Sequence, residues 1–184
     1  MSTSNTNQQT KNAVSTIMLT GFITGSLDIT AACIQYYSRT GKGPGNVLRF
    51  VASGFFGTKA FAGGAAMAVW GLLFHFLIAF SFTVFFFWLY PKIPVLAKNK
   101  LITGLVYGIF VWAVMNLIIV PLSNIPASSK LWATITNTVG KRLTVLQFPS
   151  DPTQMIIGLI IIMFCIGLPV SLLTGRYYPS KTNR

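Results

Sequence analysis

Glutamate is absent from this chain, and aspartate occurs only twice, as Asp28 and Asp151. One histidine, His75, and two cysteines, Cys33 and Cys165, complete its short stock of reactive groups. These shortages exclude a good deal. No neighbouring carboxylates stand ready for acid–base work, and no Ser-His-Asp set can be assembled from the sequence. A lone His75 is poor support for haem or a metal. Both cysteines fall inside apolar runs, without zinc spacing or a disulfide framework, and read as small buried residues. Gly41-x-Gly43-Pro44-Gly45 has glycines but lacks the strand and helix of a phosphate loop, so it reads as a turn. The expectation is a chain that is not an enzyme and carries no cofactor and no metal.

Charge is scarce as well. Only 9% of residues are charged, against about 25% in soluble proteins. Hydrophobic residues make up 53%, with 15 phenylalanines among them. A soluble fold of this size has no means of covering that much apolar surface, so the solvent for most of the chain is lipid. The 14 lysines and arginines give a net charge of +12. They sit between or just beyond apolar runs, where cations meet anionic headgroups. That placement argues for membrane lipids as partners and against nucleic acid.

Four runs are long enough to cross a bilayer core, which needs about 20 residues. They cover 13–36, 66–90, 101–122 and 155–174. The predicted fold is an all-α integral membrane protein, a single bundle over 13–178 of four transmembrane helices plus a short interfacial or re-entrant helix. That short helix is expected near 45–57, because Arg49 and Lys59 leave too few residues between them to cross. Leu48, Val51, Ala52 and Phe55 fall on one of its faces, with Arg49 and Ser53 on another. Residues 1–12 read as a disordered polar tail without a cleaved signal, 127–152 as a polar insertion, and 179–184 as a basic tail. The cations divide evenly between the two sides, so the positive-inside rule abstains. An even number of spans places both termini on one side, expected to be the cytoplasm.

Helices in lipid associate through small residues that let backbones approach. Gly21, Thr24, Gly25, Asp28, Ala31, Ala32 and Gln35 form one stripe on the first span. Gly64, Ala68, Gly71, His75 and Ala79 form another on the second, and Gly104, Gly108, Trp112, Met115 and Asn116 a third. Gly21, Gly25, Gly71, Gly104 and Gly108 are the expected packing positions. Gly175, beyond the fourth run, is expected to matter little. Counting at 1.5 Å per residue puts Asp28, His75 and Asn116 roughly 12, 13 and 9 Å below one membrane face. Three polar side chains from three spans therefore share a layer.

A carboxylate there costs about 2.5–3.5 kcal/mol on the insertion scale, so something holds it. Two functions are open. One is a structural or partner-binding membrane protein, in which interhelical hydrogen bonds of Asp28 with His75 or Asn116 set register; the sequence favours this one. The other is a small transporter or proton/ion permeation unit using Asp28 and His75, which can pass a proton near neutral pH. A lipid-modifying enzyme lacks its nucleophile. Self-association, or membership of a larger membrane complex, is expected.

In order and spacing, several short pieces resemble the small uncharacterised bacterial inner-membrane proteins of the YagU-like family. They are Gly25-Ser26-Leu27-Asp28, Val47-Leu48-Arg49-Phe50-Val51-Ala52-Ser53-Gly54, Ala60-Phe61-Ala62-Gly63-Gly64 and Leu73-Phe74-His75-Phe76. Tyr107-Gly108, Val114-Met115-Asn116, Pro121-Leu122-Ser123 and Gly167-Leu168-Pro169 follow. The resemblance implies four spans in a bacterial inner membrane, with no assigned reaction. This chain departs from it in the long 127–152 insertion, and in Ile162, where relatives often carry a histidine.

Overall fold

In the computed structural model, residues 3–125, 132–133, 148–149 and 152–178 are described. Helix α1 (Thr3–Thr40) is followed by α2 (Gly45–Phe56), the single turn α3 (Lys59–Ala62) and α4 (Gly64–Leu89). Short 3₁₀ turns at Tyr90–Lys92 and Pro94–Ala97 lead into α5 (Lys100–Val114), which widens into a π-turn at Met115–Ile119 and ends as α6 (Val120–Leu122). Trp132–Ala133 (β1) and Phe148–Pro149 (β2) pair antiparallel. The last span is α7 (Pro152–Ile162), a second π-turn (Met163–Gly167) and α8 (Leu168–Tyr177). Four helical stretches, Asn12–Thr40, Gly64–Lys92, Lys100–Leu122 and Thr153–Tyr177, are long and apolar enough to cross a membrane. The architecture is the all-α one read from the sequence: four candidate spans and a shorter helix.

Local chemistry explains the breaks. Gly41 ends α1 at φ 65°, its N–H donating to the Tyr37 carbonyl at 2.8 Å, a left-handed cap that glycine takes without penalty. Gly57 closes α2 in the same way on the Ser53 carbonyl. Pro91 and Pro94, which have no N–H to give, stop α4 and shape the turns after it. Asn99 caps α5 by accepting from the N–H groups of Leu101 and Ile102 at 3.1 and 3.2 Å. Both π-turns end two residues before a proline, Pro121 and Pro169. A proline ring collides with the carbonyl four residues back, and widening the preceding turn relieves that collision. The N–H groups of Val120 and Leu168 accordingly reach back five residues, to Met115 and Met163.

The spans run antiparallel. Gln35 near the end of α1 bonds Gln154 at the start of α7, while Lys100 at the start of α5 donates to the Gly175 carbonyl at 2.8 Å. Phe82, Phe86, Tyr90, Tyr107, Val111, Ile166 and Val170 form the buried core between α4, α5 and the last span. Large apolar side chains line the outside of every span, from Phe22 and Trp70 to Ile102 and Phe164, as lipid requires. The inward positions are small. A Cβ on Gly25 would lie 2.8 Å from the Phe76 ring, and one on Gly21 would overlap Phe80. A Cβ on Gly104 would lie 2.9 Å from the Leu168 Cα, and one on Gly108 would lie 2.5 Å from the Met163 Cα. Gly71 touches the Leu48 carbonyl, so α2 crosses α4 about 10 Å in from its start.

Three expectations are corrected. Residues 3–12, read as a disordered tail, continue helix α1. The buried side of α2 is Ala52 with Ser53, whose hydroxyl bonds the Phe50 carbonyl at 2.6 Å, while Phe55 is exposed beside Phe56 and Phe74. In lipid the bulky residue belongs outside and the small one inside. Gly175, expected to be peripheral, is buried, and a Cβ there would meet Lys100 at 2.7 Å and the Tyr90 hydroxyl at 3.0 Å. Most of the 127–152 insertion and the whole 179–184 tail lie outside the described residues.

Candidate functional site

Asp28 lies on α1 one turn beyond Gly25, where close packing on α4 brings His75 alongside. The His75 Nδ1 to Asp28 Oδ2 distance is 4.0 Å, that of an ion pair but too long for a direct hydrogen bond. On the other side of the ring, Nε2 is 2.8 Å from the Gly25 carbonyl. A carbonyl only accepts, so Nε2 carries a hydrogen and donates it, which turns Nδ1 toward the carboxylate. The two side chains are 11% and 19% exposed. An isolated charge in such a place is costly, and one proton held by the pair leaves it neutral.

Asp28 also faces a cavity of about 450 Å³. Its floor and walls include Asp28, Trp112, Asn116 and Ile162, and α2 roofs it with Asn46, Val47 and Phe50. Gln35, Gln154 and exposed Arg39 stand at the rim. The Gln35 and Gln154 side chains are bonded to each other at 3.0 Å across the α1–α7 seam. Tyr36, Phe50, Phe61 and Trp112 make much of the lining aromatic. Asn116 shares the cavity with Asp28 but not a hydrogen bond: its Nδ2 donates to the Trp112 carbonyl one turn back, at 2.8 Å. That carbonyl borders the π-turn, where the regular helical ladder is interrupted. Widened turns of this kind recur at functional sites. The second π-turn holds Cys165.

Toward the opposite end of the bundle the α1–α8 seam is polar as well. Thr20, Thr24, Ser171 and Thr174 are fully buried. Thr24 donates to the Thr20 carbonyl at 2.9 Å, and Ser171 to the Lys100 carbonyl at 2.7 Å. The hydroxyls of Thr20 and Thr174, and that of Tyr90 beyond them, find no hydrogen-bond partner among the described residues.

Of the residues singled out in the sequence, Asp28 and His75 are brought together, Asn116 faces the same cavity, and all five packing glycines meet a neighbouring helix. Missed were the roofing by α2, the glutamine pair at the rim, and the buried hydroxyls on α8. Gln154 at the head of a span was the signal for the glutamine pair. No family of known proteins, no curated relative and no solved structure matches the chain.

Proposed function

We propose that this chain is a small proton-linked permeation or transport unit of a bacterial inner membrane, with Asp28 as its proton-carrying group and His75 as its immediate partner. The observation that carries this is the setting of Asp28. A carboxylate serving only as helix glue would be closed into short, dry hydrogen bonds. Asp28 instead stands 4.0 Å from His75 and faces a cavity whose lining includes the exposed Arg39. The buried hydroxyls on α1 and α8 supply relay positions toward the other end. No step of covalent catalysis is assigned to the chain.

A second reading, a structural or partner-binding protein, is favoured by the 2.8 Å bond from His75 to Gly25 and by the glycine seams. In both cases a homo-oligomer or larger complex in the membrane is proposed, with both termini in the cytoplasm. The four antiparallel spans support termini on one side, and the resemblance to small inner-membrane proteins supports the choice of membrane. Reporter fusions after Asn99 and Arg184 should then give one compartment, and one after Ser129 the other.

The functional test is proton entry into proteoliposomes holding a pH dye and driven by an imposed potential. Wild type should admit protons faster than empty liposomes. Asp28→Asn, which keeps shape and hydrogen bonding but has no titratable carboxyl, should fall to the empty-liposome rate. Equal rates for wild type and Asp28→Asn would support the structural reading instead.

A further inference from the structure

The cavity is far larger than a proton route needs. Its volume, about 450 Å³, lies within the roughly 300–1,000 Å³ typical of clefts that enclose small organic ligands. Its walls are mostly carbon, and four aromatic side chains (Tyr36, Phe50, Phe61 and Trp112) contribute to them. Among the described residues of the lining, the acidic group is Asp28. An apolar, aromatic chamber with a carboxylate in its wall selects for a particular charge and texture. Inorganic cations such as Na⁺ or Ca²⁺ need several oxygen ligands to replace their water, and here Asn116, Gln35 and Gln154 already spend side-chain hydrogen bonds on the protein itself. An organic cation with diffuse charge gives up less hydration, stacks its apolar groups on the rings, and places its charge between aromatic faces and carboxylate.

We propose, resting on the permeation reading above, that this cavity binds a lipophilic organic monocation of the quaternary ammonium or arylphosphonium class, and that the incoming cation displaces a proton carried by the His75–Asp28 pair. The charges balance. Before binding, the pair holds the Nε2 hydrogen committed to the Gly25 carbonyl and one further proton, carried on either Oδ2 or Nδ1, for a net charge of zero. After binding, that second proton has left to water. His75 is neutral, Asp28 is a carboxylate, and the organic cation neutralises it. No bond to carbon forms or breaks.

The groups facing Asp28 allow this exchange. α4 presents His75, and the π-turn of the third span presents uncharged Asn116. α2 contributes Asn46, Val47 and Phe50, and α7 contributes Gln154, none of them ionisable. On α1 itself, Arg39 lies 11 residues along the helix, about 16 Å away. It is exposed at the rim, where salt and lipid phosphates screen it.

The experiment is calorimetric titration of the purified full chain in nanodiscs with tetraphenylphosphonium, in two buffers of different ionisation enthalpy at one pH. This probe has no proton of its own, so any proton released comes from the protein. The expected result is saturable binding with about one proton released per cation, and binding to uncharged triphenylphosphine oxide at least about tenfold weaker, equivalent to 1.4 kcal/mol. Asp28→Asn should lose both tight binding and proton release, while Asp28→Glu should retain them, which rules out loss of fold as the cause. Equal affinity for the cation and the neutral oxide, or tight binding by wild type with no proton released, overturns the proposal. The two readings fail separately. Asp28-dependent proton entry without phosphonium binding removes the cation inference and leaves permeation standing. Binding with proton release but no proton entry or phosphonium uptake leaves a cation receptor and removes transport.

Discussion

Replacing Gly71 by alanine pits two effects of opposite sign against each other. Alanine is the better helix former by about 1 kcal/mol in a helix interior, so an exposed glycine in α4 would gain from the change. Gly71 is not exposed. A Cβ there would sit 2.6 Å from the Leu48 carbonyl carbon and 3.2 Å from its Cα, where ordinary contact begins at 3.4 Å. Those atoms are backbone of α2, so no rotamer change relieves the overlap and α2 has to back away as a unit. Overpacking costs about 1–3 kcal/mol, and a backbone clash belongs at the upper end. Subtracting the propensity gain leaves a net loss of about 2 kcal/mol. For a chain of this length that is a fall in Tm of roughly 4–8 °C. Gly43→Ala, with nothing within 4 Å of its Cβ position, is the control and should not lower Tm. The position of α2 can be followed separately through a Gly54→Cys/Ser123→Cys pair, because a Cβ on Gly54 would lie 3.7 Å from that of Ser123, within disulfide reach. Oxidation should be complete in the parent and reduced by Gly71→Ala. A Gly71→Ala protein that melts at or above wild type with undiminished crosslinking would refute the docking of α2 on α4.

Gly25→Leu and Gly175→Leu should both destabilise the bundle in detergent, the first through Phe76 and Ala79 and the second through Lys100 and Tyr90; a fully stable variant would mean that its face looks at lipid. Tyr107→Phe removes the 2.6 Å bond from the buried phenol to the Phe82 carbonyl and should cost about 0.6–1 kcal/mol in an unfolding titration. His75→Ala should abolish proton entry as Asp28→Asn does, with the double variant no worse than either, as for residues acting as one unit. Additive partial losses would show the two acting separately.

The spans were legible because twenty apolar residues in a row have few other uses, and Gly, Pro and Asn mark the ends of the runs. The meeting of Asp28 and His75 followed from counting rise per residue along two spans. What stayed hidden had two physical sources. Helical spacing groups Ala52 with Phe55 and apart from Ser53, yet in lipid bulk points outward and small residues inward, so Ala52 and Ser53 are buried and Phe55 is not. The cavity depends on crossing geometry: how far α2 reaches over Gly71, and how the π-turns before Pro121 and Pro169 place Asn116 and Cys165. A sequence read span by span does not contain those angles. Thr20, Ser171 and Thr174 were passed over because a hydroxyl inside a span so often bonds its own helix, as Thr24 does.

The measurement closest to the central claim is the one-sided accessibility of the cavity. Ala32 lines it one turn from Asp28, so Ala32→Cys, in a chain with Cys33 and Cys165 changed to serine, places a thiol beside the carboxylate. In oriented vesicles, a membrane-impermeant cationic thiol reagent should modify that cysteine when added on the Arg39 side and be blocked by tetraphenylphosphonium, while reagent on the opposite side should leave it unmodified. A cysteine at position 32 that stays unmodified from both sides would mean that Asp28 is sealed in a dry seam, and would contradict the account.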